Sequence, residues 1–131
     1  MTQDDKDLLL QDLCARLPYG VKVESVFINA DTKKRKSCGI EVFDATCILM
    51  IRDGFGEFKP YLFPLSSMTE EELKEFQACH CVYDLHPDFQ PIMCNIANEQ
   101  NMFDWLNAHH FDYRGLISMG LAIDATGLNI Y

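Results

Sequence analysis

The chain has 131 residues, 48% of them hydrophobic and 24% charged, and its formal net charge is −9. This composition excludes an intrinsically disordered chain, and the length fits a single domain, residues 1–131, whose core needs neither metal nor disulfide. No run approaches the roughly 18 consecutive apolar residues of a membrane span. Because the N-terminus is acidic where a secretory signal would be basic, we expect a cytoplasmic protein whose six cysteines are free thiols.

The negative charge lies mostly in the second half of the chain. Residues 1–59 contain ten acidic and nine basic side chains, whereas residues 60–131 contain ten acidic and two basic ones. Nucleic-acid-binding proteins present clustered lysines and arginines to the phosphates, so this half is not expected to bind nucleic acid directly. A surface that imitates nucleic acid toward a basic partner remains an alternative.

The first half predicts one helix followed by strands. An apolar stripe recurs at helical spacing in the first segment, at Leu10, Leu13, Cys14 and Leu17, and Pro18 and Gly20 end it. Four short β-rich runs follow: VKVESVFIN, CGIEVF, TCILMIR and GEFKPYL. Their connections are too short for parallel crossovers, which predicts antiparallel strands, with a hairpin turn at RDGF and a solvated loop at ADTKKRKS.

The second half predicts helices. After the extended connector KPYLFP, Thr69 and Glu72 form a T-x-x-E capping box, and we expect Leu73 and Phe76 on the buried face of that helix. Asn98 or Asn101 opens another helix in the segment EQNMFDWLNAHH.

The end of the chain predicts two short elements. Asp112 is expected to cap a short final helix that Gly120 closes, and LAIDATGLNIY to add a last strand. The whole pattern predicts an α+β domain with a small antiparallel sheet of three or four strands, open or curled toward a barrel. An N-terminal helix and two or three C-terminal helices cover it.

Three stretches, LLLQDLCARLPYGVKV, KPYLFPLSSMTEEE and DWLNAHHFDYRGLISMGLAIDATGLNIY, resemble a family of short uncharacterised proteins of gut anaerobic bacteria and their phages or integrated elements. The resemblance covers a little under half of the chain. It implies a prokaryotic, cytoplasmic protein from a mobile element, and it transfers no functional residue.

One segment carries residues of the kind that bind zinc. Cys79, Cys81, His86 and Cys94 follow the pattern C-x-C-x4-H-x7-C. Their donor atoms suit tetrahedral zinc, but structural zinc loops use C-x2-4-C knuckles, and no second matched pair is present. Buried thiols and a loop histidine are therefore the preferred interpretation, a zinc-stabilised domain is the alternative, and no cofactor is predicted.

A second candidate is a proton-transfer group at HHFDYR, with His109 or His110 oriented by Asp112. Neighbouring helical residues point about 100° apart, so both histidines cannot serve one substrate. A histidine at a helix C-terminus and an aspartate capping the next helix explain the motif without catalysis. The protein is therefore not predicted to be an enzyme.

Two further segments are candidate contact sites for a partner. Lys33, Lys34, Arg35 and Lys36 form a basic hairpin loop that can steer the molecule toward an acidic partner or a nucleic-acid backbone. Tyr61 and Phe63, between two prolines, can anchor a partner or pack on the chain's own core. By elimination we expect a non-enzymatic protein-binding or accessory protein, and the alternative is a nucleic-acid-associated regulator that uses the basic loop.

Overall fold

The structure is a computed structural model that describes the backbone of residues 2–78 and 91–131 and the side chains of residues 2–78 and 100–131. Its elements, in chain order, are α1 (Gln3–Arg16), β1 (Lys22–Ile28), β2 (Arg35–Val42), α2 (Ala45–Asp53), β3 (Gly56–Pro64), α3 (Glu70–Ala78), α4 (Pro91–Ala108), β4 (Phe111–Asp112) and β5 (Ile123–Asp124). Short 3-10 turns follow α1 and β3. The predicted α+β fold is confirmed. No helix in the described ranges is long and apolar enough to cross a membrane.

The sheet is mixed, which corrects the prediction of purely antiparallel pairing. Its strand order is β2-β1-β3-β4, and β5 also pairs with β3. β1 is antiparallel to β2 and to the first part of β3, up to the pair Val23–Pro60. Beyond Pro60, β3 pairs in parallel with β5 and β4, which arrive after long helical connections. The five strands do not close into a barrel.

The segment TCILMIR forms helix α2, so the prediction of a strand there is wrong. Asp44 caps the helix, because its carboxylate accepts the N–H of Cys47 at 3.2 Å. Gly54 ends it in the left-handed conformation, with φ 78°, and donates its N–H to Ile51. RDGF is consequently a helix C-terminus and not a hairpin turn. Two caps that enclose nine residues outweigh the β propensity of the run.

The predicted first helix is present as α1, but its buried face shares only Leu13 with the predicted stripe. Thr2 and Asp5 form a capping box at its start. Cys14, expected in the buried stripe, is exposed. The buried positions repeat at helical spacing and include two charged residues: Leu9, Asp12, Leu13 and Arg16. The prediction used apolar residues only, so it could not include Asp12 and Arg16, which are charged but buried.

The core lies between the sheet and the helices α1 and α2. Phe43 and Phe58 meet edge to face with their ring centroids 5.9 Å apart. The buried hydrophobic cluster joins α1, the central strands and the segment after β4. Its members are Leu9, Leu13, Val21, Val23, Phe43, Cys47, Phe58, Leu62, Leu116, Leu121 and Ala122.

The second half agrees with the predictions in part. The capping box of Thr69 and Glu72 is present in both directions, at 3.0 and 3.1 Å. Leu73, expected on a buried face, is exposed, whereas Phe76 packs on Trp105. Helix α4 starts at Pro91, earlier than predicted, and proline is favoured at a first helical position.

The predicted final helix is a single turn. Gly120, with φ 75°, closes it, and the N–H groups of Gly120 and Leu121 bond the carbonyls of Ile117 and Leu116. The seven residues between Asp112 and the closing glycine leave room for one turn only. The predicted last strand is confirmed as β5, whereas the predicted connector KPYLFP belongs to β3.

Candidate functional site

A buried ionic cluster joins α1 to the segment after β4. Asp12 and Arg16 are fully buried, and Arg16 Nε donates to Asp12 Oδ2 at 2.8 Å. Arg114 Nη1 donates to the other carboxylate oxygen at 2.7 Å. Arg16 Nη2 also donates to the carbonyl of Phe111 at 2.6 Å. One carboxylate thus bridges two guanidinium groups and ties parts of the chain about a hundred positions apart.

Tyr113 covers this cluster. The guanidinium carbons of Arg16 and Arg114 lie 5.2 and 4.8 Å from the centroid of its ring. Its hydroxyl donates to Asn107 Oδ1 at 2.9 Å. Arg16 Nη1 is buried without a hydrogen-bond partner, but the carboxylate of Asp12 is bonded through both oxygens, so the cluster holds the fold together and offers no free base or nucleophile. The signal for it in the sequence was the Asp-x-x-x-Arg spacing inside α1.

The motif HHFDYR does not form a catalytic group. His109 stacks on Trp105 with 4.0 Å between the ring centroids, and His110 stacks on Tyr131 at 3.7 Å. Asp112 bonds neither histidine, since its two oxygens accept the N–H groups of Leu116 and Ile117. Burial, with a smaller effect from Arg16, lowers the pKa of His110 to about 4. That imidazole is therefore neutral near pH 7.

Tyr131 closes the gap where β1 and β3 separate. Its hydroxyl accepts the N–H of Lys22 at 2.8 Å and donates to the carbonyl of Tyr61 at 2.8 Å. Lys22 and Tyr61 are the next residues beyond the last β1–β3 pair, Val23–Pro60. The hydroxyl therefore bridges two backbone groups in place of a direct hydrogen bond between the strands. Burial of the hydroxyl raises its pKa to about 12.

The predicted zinc ligands lie largely outside the described residues. Cys79, Cys81 and His86 belong to residues 79–90, and Cys94 is in the part of α4 whose side chains are not described. Within the described residues, no group of three or more histidine, cysteine or acidic side chains is arranged for a metal. The zinc alternative stays a prediction.

Three thiols lie within the described residues, and one of them is buried. Cys14 and Cys38 are exposed, and Cys47 is buried. Burial raises the pKa of the Cys47 thiol to about 11. A protonated thiol is a poor nucleophile, so Cys47 serves as a core residue.

A cavity of about 280 Å³ lies between α1, α2 and the ends of β1 and β3. Its apolar lining comes from Leu9, Leu10, Ile28, Ile51 and Phe58, and Lys6 and Glu57 also border it. None of the residues predicted for catalysis or partner binding lines this cavity. It contains no group of titratable side chains suited to catalysis.

Only half of the predicted basic loop is a loop: Lys33 and Lys34 join β1 to β2, whereas Arg35 and Lys36 are the first residues of β2, and all four are exposed. Asn29 shapes it, because its side-chain oxygen accepts the N–H groups of Asp31 and Thr32. Arg35 is already paired with Glu57 through two hydrogen bonds. Lys33, Lys34 and Lys36 form no ion pair within the described residues, so three of the four predicted charges are available to a partner.

The predicted aromatic anchors lie in the sheet. Tyr61 is 7% exposed and pairs with Ile123, so its ring is not accessible to a partner in this conformation. Phe63 is half-buried and packs on Phe111 and Tyr131 with ring centroids 6.2 and 5.8 Å apart. Their burial follows from β3 continuing to Pro64, two residues beyond the predicted run GEFKPYL.

Strand β2 is the feature that sequence reasoning did not identify as a site. It lies at the edge of the sheet with β1 as its neighbour, and all eight of its residues are exposed. Ile40 is 54% exposed and Val42 is 51% exposed. An edge strand with unpaired backbone groups and exposed apolar side chains is a template for pairing with another chain.

A scan of protein-family models and searches of the curated proteins and of the solved structures returned no match to this chain. The function is therefore argued from the chain's own geometry.

Proposed function

We propose that this chain is a non-enzymatic protein-binding protein whose contact site is the edge strand β2. The observation that carries the proposal is that all eight residues of β2 are exposed, including Ile40 and Val42, whereas β1, β3 and β4 each contain buried residues. Fully burying an isoleucine or valine side chain gains about 1.5–3 kcal/mol, and Ile40 and Val42 are about half exposed, so a partner that covers them gains roughly half of that for each. Strand addition to a sheet edge is a common mode of peptide recognition.

The proposal places the chain in the cytoplasm as an accessory protein of a mobile element, on the strength of the sequence resemblance. The described side chains favour binding over catalysis, because the histidines are stacked on aromatic rings and the ionic cluster is internally paired. Nucleic-acid binding is less favoured, because Glu57 already neutralises one of the four bases of the loop.

A photo-crosslinking experiment in cells that express the chain tests the proposal. p-Benzoylphenylalanine replaces Ile40 in one variant and Leu128 in a control variant, since the two side chains are similarly exposed, at 54% and 51%. We expect a discrete crosslinked protein from position 40 and none from position 128. No crosslink at position 40, or the same crosslinks at both positions, contradicts a contact site on β2.

A further inference from the structure

We infer that β2 pairs with β2 of a second copy of this chain, which extends the sheet across a two-fold axis. The inference rests on the proposed function and names the partner. The direction of the backbone groups along β2 fixes the residues that a new strand can bond. The charges along β2 fit a second copy of the same strand.

The backbone bonds at the two ends of β2 show which residues face outward. Phe43 donates its N–H to Val21, and Asn29 donates to the carbonyl of Lys34, each at 2.9 Å. Alternate residues of an antiparallel strand bond the same neighbour. Counting back from Phe43, the backbone groups of Ile40 and Val42 point away from β1.

The same alternation, counted forward from Lys34, points the backbone groups of Arg35 and Ser37 away from β1. The outward-facing residues therefore have odd numbers in the first part of β2 and even numbers in the last part, because β2 contains a bulge between the two parts. Ser25 pairs with Gly39 and Val26 with Ser37, so Cys38 is the extra residue. Gly39 has φ 82°, a conformation that glycine adopts without strain.

The outward-facing residues are arranged for pairing of β2 with itself. An antiparallel register centred between Cys38 and Gly39 sets Ser37 opposite Ile40 of the second copy, and Arg35 opposite Val42. All four residues present outward-facing backbone groups, so the register can form hydrogen-bonded pairs at each of them. Because the centre coincides with the bulge, side chains set opposite each other also lie on the same face of the sheet.

The charges on the strand fit this register. It sets Lys36 opposite Glu41 of the second copy, and the symmetry produces that pair twice. Both side chains lie on the core-facing side: Lys36 pairs with Phe27, in line with buried Val23 and Ser25, and Glu41 Oε1 lies 3.8 Å from buried Cys47. Opposite charges directly across an antiparallel pair are stabilising.

The same register also gives the basic loop a role. It extends Lys33 and Lys34 of one copy toward Asp44 and Glu41 of the other. These lysines form no ion pair within the described part of the chain, and Glu41 and Asp44 are exposed. Although the chain has a net charge of −9, its cluster of basic residues at the start of β2 thus lies at the contact. A single added strand buries little area, so we expect association in the micromolar to millimolar range.

Sedimentation equilibrium of the purified chain at concentrations up to about 1 mM tests the inference. We expect a reversible dimer. Lys36→Glu and Glu41→Lys should each weaken it by about tenfold or more, because each variant creates two like-charge contacts. The double variant K36E/E41K should recover wild-type affinity to within about threefold. The matched control is the double variant Glu24→Lys with Lys59→Glu, a cross-strand pair away from the edge, which should dimerise like the wild type.

The two single variants change the net charge in opposite directions, which separates the inferred register from a general charge effect. If Lys36→Glu weakens the dimer and Glu41→Lys strengthens it, net charge alone governs association and the register is wrong. A chain that stays monomeric throughout overturns the inference as well. In that case a crosslink from position 40 to a different protein still supports the proposed function, and the absence of any crosslink there rejects both.

Discussion

Replacing Asp12 with asparagine tests the buried ionic cluster. The amide keeps the shape of the carboxylate but removes the charge that two guanidinium groups share at 2.8 and 2.7 Å. Arg16 is fully buried and has no route to solvent, whereas Arg114 is partly exposed and regains hydration. Breaking a buried pair from one side typically costs 3–5 kcal/mol, so we expect a loss of about 3 kcal/mol in the free energy of unfolding.

Urea denaturation followed by far-ultraviolet circular dichroism measures this loss, with wild type and variant compared at a common m-value. A loss of about 3 kcal/mol is a large part of a typical total stability of about 5–15 kcal/mol, so the urea concentration at the unfolding midpoint should fall substantially. The matched control is Asp4→Asn, an exposed carboxylate of the same helix, which should cost no more than about 0.5–1 kcal/mol. A loss below about 1 kcal/mol for Asp12→Asn would refute the claim that its charge is required to neutralise Arg16.

Three further substitutions test other parts of the account. Asp44→Ala should cost about 1 kcal/mol in urea denaturation because it removes the cap of α2, and a neutral result would argue that residues 45–53 are not helical. Tyr131→Phe should cost about 1–3 kcal/mol, because two backbone groups of β1 and β3 lose their partner; an unchanged midpoint would mean that water replaces the hydroxyl. The pKa of His110 is about 4 when folded against 6.5 when unfolded, so the unfolded chain binds more protons between those values and stability falls as the pH falls from 6.5 to 4. The total effect is at most about 3 kcal/mol, and His110→Asn should flatten that part of the stability profile; an equally steep profile in the variant would exclude His110 as its source.

The sequence predicted the elements whose ends carry local signals. Thr69 with Glu72, and the turn that Gly120 closes, were both placed by their caps, and the structure contains both caps. The run at residues 45–53 carried two caps as well, at Asp44 and Gly54, but its β-branched composition received more weight. Local hydrogen bonds at helix ends were therefore a better guide than propensity here.

Features that depend on distant contacts were not predictable from local patterns. Asp12 and Arg16 occupy buried positions that a charged residue rarely takes. Besides their bond to each other, Asp12 bonds Arg114 and Arg16 bonds the carbonyl of Phe111, and these partners lie about a hundred positions away. The parallel pairing of β3 with β4 and β5 likewise depends on where long connections return. The exposure of β2 is also a property of the assembled sheet, because the apolar residues at 40 and 42 would suit a covered strand equally well.

Residue-resolved amide hydrogen exchange along β2, measured at low and at high protein concentration, tests most directly whether this edge is a contact site. The amides of Ile40 and Val42 should exchange fast in the dilute chain and become protected by about tenfold or more when the chain is concentrated, while the inward-facing amide of Glu41 changes little. Equal exchange rates at both concentrations, or strong protection of Ile40 and Val42 in the dilute chain, would contradict a free edge that pairs with a second copy.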